Sequence, residues 1–434
     1  MDRLLVIALL TAVPWAESRS NCPADAASPK CAFHVTESIP IGLKFSSGPV
    51  FNSTFQELKQ LVTTARDRLD IAAFYFTLIG TDVLPDPGES SGEGEELLRS
   101  IIDAARRGVK TRIAVNDDGL SSPADTEQLR AAGAEIRPVN FTRLVGAGVL
   151  HTKFLVADGQ SLYVGSANMD WRSLTQVKEA GVTVRKCPLL AQDLLKVFEV
   201  YWMLGQGDSQ IPERWPAALS TDIGMQTPLR VNLGGTESDV FIASAPRSFN
   251  PSGRTNDIDA LISVIDGAKK FINIAVMDYF PMFLYTKSPS FWPVIDDALR
   301  RAAIERGVRV RLLASKWSHT RKTLFPFLNS LNSFRQLSPR GRIQTKVFVV
   351  PTIGPDQARI PFARVNHNKY MVTDESAYIG TSNWSADYFV NTAGVSFVSR
   401  ESSGSCYRND SLRESLVHLF DRDWYSGYAQ DLTN

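Results

Sequence analysis

Leu150-His-Thr-Lys-Phe-Leu-Val-Ala-Asp158 and Asn366-His-Asn-Lys-Tyr-Met-Val-Thr-Asp374 are the stretches on which the reading of this chain turns. Each carries His-x-Lys, four further residues and an aspartate, in an apolar, β-prone run. The chain has 5 histidines, and two of them open this pattern. One match to so short a motif is weak evidence. Two matches at corresponding places of an internal repeat are strong evidence, and the repeat extends well beyond them. Residues 65–76 answer to 268–279, 105–114 to 304–313, and 197–202 to 419–424. After each His-x-Lys run a strand-like segment ends in Gly165-Ser-Ala-Asn168 or in Gly380-Thr-Ser-Asn383. The period is far too long for a solenoid, so two related domains is the reading.

Each copy alternates helix and strand. Residues 95–107 carry apolar side chains at helical spacing and stop at Gly108, a natural C-cap, before a β-branched stretch at 109–115. Residues 293–306, Gly307 and 308–313 repeat the layout, with Pro293 at the helix start. The fold class expected is α/β: two tandem domains, each a sheet flanked by helices, related by a pseudo-twofold and sharing one site. The expected division is a signal peptide at 1–18, an extension at 19–36, a first domain at 37–204, a linker at 205–235 rich in Pro, Gly and Ser, and a second domain at 236–434.

The bulk composition narrows the function. With 434 residues, 44% hydrophobic and 21% charged, the chain is long enough for two globular cores. Its net charge of +1 provides no global basic field for a polyanion, so any phosphate binding must be local. Met1-Asp2-Arg3, an apolar run to Trp15 and Ala16-Glu17-Ser18 read as a cleavable signal peptide, too short to span a bilayer. The mature protein is therefore expected in the secretory pathway, endolysosomal or secreted, without a transmembrane anchor. Cys22, Cys31, Cys187 and Cys406 match no zinc spacing; disulfides are expected, with three pairings open. Asn52, Asn140 and Asn409 begin glycosylation sequons. Asn383 begins one too, but there a glycan would block the motif.

His151 and Lys153, like His367 and Lys369, are spaced to point to one face of a strand. Burying a lysine beside a histidine is costly unless an anion visits the site. Asn168 and Asn383 can add amide donors, and the whole set describes a pocket for a tetrahedral phosphate. One histidine then attacks phosphorus while the other protonates the leaving oxygen and later activates water. Lys153, Asn168, Lys369 and Asn383 are the phosphate-binding candidates, and no metal or other cofactor is expected. Asp158 and Asp374 complete the motifs as catalytic candidates, although Asp before a turn is more often scaffold. Glu179 can orient an imidazole, as a carboxylate does in a triad, or equally cap a strand end. His34, His319 and His418 lie outside the motifs and read as surface or satisfied core residues. Tyr75, Phe76, Tyr279 and Phe280 could stack a base, but core packing is the better reading.

These residues resemble the phospholipase D superfamily, whose HxKxxxxD motif occurs twice per active site. Residues 150–154, 165–179, 364–373 and 378–384 look like the animal branch called phospholipase D three and four. The resemblance runs from about residue 37 to 432. It implies a metal-independent endolysosomal 5′ exonuclease on single-stranded DNA and RNA, acting through a phosphohistidine; lipid transphosphatidylation is the alternative. Single-stranded nucleic acid is thus the expected partner, phospholipid the second, and a homodimer the candidate assembly. Two departures stand out. The branch is typically membrane-anchored, whereas this chain begins with a signal peptide. The branch's Glu-x-Gly step is kept at Glu179-Ala-Gly181 but reads Thr392-Ala-Gly394 in the second copy.

Overall fold

The computed structural model describes residues 28–336, 341–402 and 410–432. The signal peptide, Cys22, Cys406 and Asn409 lie outside the described residues.

Two sets of strands carry the fold. The first comprises β1 (Lys30–Ser38), β2 (Arg68–Ala73), β3 (Lys110–Asn116), β4 (Glu135–Val139), β5 (Phe154–Ala157), β6 (Ser161–Gly165) and β7 (Glu179–Arg185). They pair in the order β4-β3-β2-β5-β6-β7-β1, parallel among β2, β3 and β4 and antiparallel beyond. The second comprises β8 (Thr236–Ala245), β9 (Phe271–Val276), β10 (Arg309–Ser315), β11 (Arg342–Phe348), β12 (Lys369–Thr373), β13 (Ser376–Gly380) and β14 (Gly394–Glu401). Its order is β11-β10-β9-β12-β13-β14-β8, with the same pattern of directions.

The helices follow from the same sequence signals in both sets. α1 (Thr54–Thr64) and α2 (Gly92–Arg106) precede β2 and β3; α3 (Pro188–Leu204) follows β7. α4 (Asp257–Gly267), α5 (Val294–Ile304) and α6 (Leu412–Trp424) are placed alike in the second half. α2 buries Leu97, Leu98, Ile101 and Ile102 as one stripe, and α5 buries Ile295, Ala298, Leu299 and Ala302. Each is followed by a left-handed glycine, Gly108 at φ 91° and Gly307 at φ 70°, as the capping reading required.

Alternation along the strands then builds the layers. In β2, Leu69, Ile71 and Ala73 pack with α1 and α2, whereas Ala72 faces the other way. Val310, Leu312 and Ala314 of β10 pack with α4 and α5, while Leu313 turns inward. The inward faces meet in one core shared by both sheets, filled by Phe198, Tyr201 and Trp202 of α3 and Leu416, Phe420 and Trp424 of α6.

Two boundaries differ from the sequence reading. The first sheet begins ahead of residue 37, because β1 pairs with β7 from Ala32 to Ser38, and its Lys30 and Cys31 pair with residues 232 and 233. Cys31 of β1 is disulfide-bonded to Cys187, just past the end of β7. The Pro/Gly-rich stretch is not all linker: residues 229–233 form a strand against β8 and touch Lys30 and Cys31. Its partners lie on both sides in sequence, so no local pattern announces it. Among the described residues no helix is long and apolar enough to cross a membrane.

Candidate active site

Both His-x-Lys runs lie where one half meets the other. Leu150 bridges Ala393, and Asn366 bridges Lys178. The His151 amide donates to the Ala393 carbonyl at 3.1 Å, and the His367 amide donates to the Lys178 carbonyl at 2.8 Å. Each histidine is therefore held by backbone just before a strand of the opposite half. His151 and Lys153 precede β5, and they are fixed by this cross-bridge together with their own half, where the Leu150 amide donates to Asn116 Oδ1 at 2.5 Å and the Gly165 amide to the Lys153 carbonyl at 3.3 Å.

The two imidazoles have different surroundings. His367 Nδ1 lies 3.0 and 2.9 Å from the Glu179 oxygens. A carboxylate only accepts, so the proton sits on Nδ1 and Nε2 is left with its lone pair. Glu179 is itself fully buried and held by the Ser166 hydroxyl at 2.5 Å, which in turn accepts from the Ala180 amide at 3.0 Å. His151 has no such carboxylate. Its Nδ1 is buried without a hydrogen-bond partner, and its ring packs 5.1 Å from Phe74 and 4.9 Å from Tyr388. Burial pushes the His151 pKa well down, and the charges of Lys153, Lys369 and His367 add to this. The His367 pKa is also lowered, first by burial, with Glu179 pulling the other way.

The strand register corrects the matching of the second copy. Glu179 lies opposite Ser38, and Gly394 holds that place opposite Ala245. The counterpart of Glu179 is therefore Gly394, not Thr392. The sequence carried the signal, since each position is eleven residues past its asparagine, 168 to 179 and 383 to 394. The shared Ala-Gly pair drew the match two residues off. A Cβ on Gly394 would come within 2.1 Å of Ser382 Oγ, so no acidic side chain fits there as packed.

Lys153 and Lys369 are buried, and each donates to the carbonyl of its own histidine, at 2.5 and 2.7 Å. Burial pushes the Lys153 pKa well down, with Lys369 adding to it. Lys369 is pushed down to about 7 by burial, against the opposing pull of Glu179 and Asp278. Asn168 and Asn383 both line the cavity and have buried, unpartnered amide oxygens. Asn168 also donates to the Tyr75 hydroxyl at 3.2 Å, which donates to Asp170 at 3.0 Å. Arg172 grips the same carboxylate through Nε and Nη2.

The structure brings His151, Asn168, Glu179, His367 and Asn383 to one cavity of about 490 Å³. A second cavity of about 380 Å³, lined by Phe74, Tyr285 and Tyr388, reaches His151 from another side. Asp158 and Asp374 are not in this group. Asp158 accepts from the amides of Arg66, Asp67 and Arg68, and Asp374 from those of Lys269, Lys270 and Phe271. Each ties the turn before β2 or β9. Phe76, Tyr279 and Phe280 are core residues, whereas Tyr75 enters the site through its hydroxyl. Phe74, Trp317, Phe362 and Tyr388 line the cavity from loops and short helices, and no motif marked them; Arg172, also in the lining, lies within the 165–179 stretch without a role assigned from sequence. Asn383 is buried, so its sequon is not a surface acceptor; Asn52 is exposed, and Asn140 caps the short helix Phe141–Val145.

Residues 46–353 match a family described as PLD3/4, PLD-like domain. The human 5′-3′ exonuclease PLD3 is 48% identical over 405 residues, covering 93% of this chain and 81% of that protein. Its Bos taurus counterpart is 48% identical over 404 residues, with the same coverage. A probable phospholipase D from Caenorhabditis elegans is 44% identical over 413 residues, 93% of this chain and 71% of its own length. Among solved structures, a phosphatidylserine synthase from Haemophilus influenzae superposes with a TM-score of 0.56 at 12% identity, covering 87% of this chain and 85% of its own, a likeness of fold.

Proposed function

The chain belongs to the PLD3/4 family of PLD-like domains, and from that premise we propose that it is a phosphodiesterase, a 5′-3′ exonuclease on single-stranded nucleic acid. The observation that carries the chemistry is the Glu179–His367 pair, in the same cavity as a second histidine.

In this reading His367 is the nucleophile. Its Nε2 attacks phosphorus, and a P–N bond forms as the P–O bond to the leaving oxygen breaks. Glu179 stabilises the charge that develops on the ring, as a carboxylate does for the histidine of a triad. His151 delivers its proton to the leaving oxygen. Neutral His151 then takes a proton from water, the water oxygen attacks phosphorus, and the P–N bond breaks. Lys153, Lys369, Asn168 and Asn383 hold the phosphoryl oxygens; the amide dipoles are already in place, and the arriving anion favours the cationic form of the two buried lysines. Asp158 and Asp374 act through the turns they tie. Each half supplies one histidine, which supports reading them as two domains around a composite site. The disulfide at Cys31–Cys187 and the exposed acceptor Asn52 support passage through the secretory pathway.

The test is nucleotide release from a 5′-hydroxyl single-stranded oligonucleotide, run beside phosphatidylglycerol. Release from the oligonucleotide is expected; turnover of the lipid alone would overturn the nuclease reading. His151→Ala and His367→Ala should each lose turnover. Quenched in denaturant at alkaline pH, where the P–N bond survives, His151→Ala should retain labelled phosphohistidine, whereas His367→Ala should trap none, and the reverse would exchange their roles.

A further inference from the structure

Phe362 is 61% exposed yet lines the catalytic cavity. Its ring lies 4.7 Å from the His319 ring with an interplanar angle of 18°, and Trp317 meets the other end of His319 at 4.7 Å, edge-on. Phe362 is thus stacked on His319, which Trp317 buttresses edge-on, at the rim of the cavity.

The backbone beneath it is held in place. Phe362 has φ 54° and Arg364 φ 57°, left-handed values that non-glycine residues rarely adopt. Such residues persist where their surroundings over-determine them, and they cluster at ligand sites. Here the surroundings are explicit. Arg172, which lines the same cavity, donates to the Pro361 carbonyl at 2.8 Å, and Arg364 donates to the Pro351 carbonyl at 2.9 Å. An exposed phenylalanine at a strained position gains nothing from core burial. A ring fixed parallel to an imidazole suits a planar ligand.

We propose that Phe362, backed by His319 and Trp317, is a stacking platform for a nucleobase of the single-stranded substrate. The platform rests on the nuclease reading above. Every base has a π face, so such a contact tolerates any sequence, and it supplies binding that the chain's net charge of +1 does not. An acyl chain would gain as much from any apolar side chain, so planarity is what separates the two ligands.

The experiment compares kcat/KM for 5′-hydroxyl oligonucleotides whose terminal residues carry bases or are abasic. Wild type should favour the base-bearing substrate by roughly 10- to 100-fold. In Phe362→Ala that ratio should collapse towards one, Phe362→Trp should restore it, and Phe362→Leu should not. Phe362 is exposed, so these variants should fold, and their melting curves check this. If wild type releases nucleotides and Phe362→Ala keeps the wild-type ratio, the platform is overturned while the nuclease stands. A ratio equally preserved by leucine would identify a non-planar apolar contact and also overturn it. Absence of nucleotide release by wild type would instead remove the nuclease reading itself.

Discussion

Glu179 and Lys369 set the site's protonation states. Glu179 is the carboxylate on His367, so Glu179→Gln removes the charge that fixes the tautomer while keeping the shape. A fall in kcat of roughly 100- to 10,000-fold is expected, with a smaller change in KM. Steady-state kinetics on the oligonucleotide measures it. Lys369 predicts the pH profile. Its pKa is pushed down to about 7 by burial, so the ammonium is cationic below that pH and neutral above it. Anion binding thus weakens as pH rises through about 7. On the acid side, the lowered His367 pKa keeps the nucleophile neutral below neutrality, while His151, pushed further down by burial, carries the proton it must donate only at acidic pH. The optimum should be acidic. Lys369→Arg, which stays charged, should move the upper limb to higher pH even if its peak is lower. The motif residues and Glu179 were legible from the sequence because chemistry restricts them to a few types. Phe74 and Tyr388 were not, since an aromatic side chain beside His151 looks in sequence like any other core residue.

At the scale of elements, the aspartates of the two motifs earn their place by building turns. Asp374 accepts from the amides of Lys269, Lys270 and Phe271, which have no strand partner at that turn except where β9 begins. Asp374→Ala should therefore cost about 1–3 kcal/mol of stability, seen as a lower melting temperature. Turnover at a permissive temperature should survive; its loss would return Asp374 to the chemistry. Helices α2 and α5 were readable because their stripes and capping glycines are local signals. The strand at 229–233 and the early start of β1 were not. A strand's identity depends on the edge it finds, and the edges here belong to β8 and β7.

Across the molecule, the halves are locked by buried charge as well as by the shared core. Arg422 of α6 grips Glu37 of β1 with two bonds, 2.8 and 2.6 Å, and also contacts Asp423. Lys178, whose carbonyl holds the His367 amide, pairs with Asp423 at 2.6 Å. Arg422→Met would leave Glu37 buried without its cation, at a cost of about 3–5 kcal/mol. Denaturant unfolding measures that loss. A wild-type midpoint would show that the pair only fills space. The sequence by itself determined that an α/β pattern repeats and that His151 and Lys153 correspond to His367 and Lys369. These follow from residue types and periodicities, which are local. Only the tertiary structure decided that the first half's Glu179 serves the second half's histidine, that Gly394 leaves His151 without a carboxylate, and that Phe362 stands at the rim. Those facts depend on which strands cross between halves, and contacts between residues nearly two hundred positions apart leave no period in the chain.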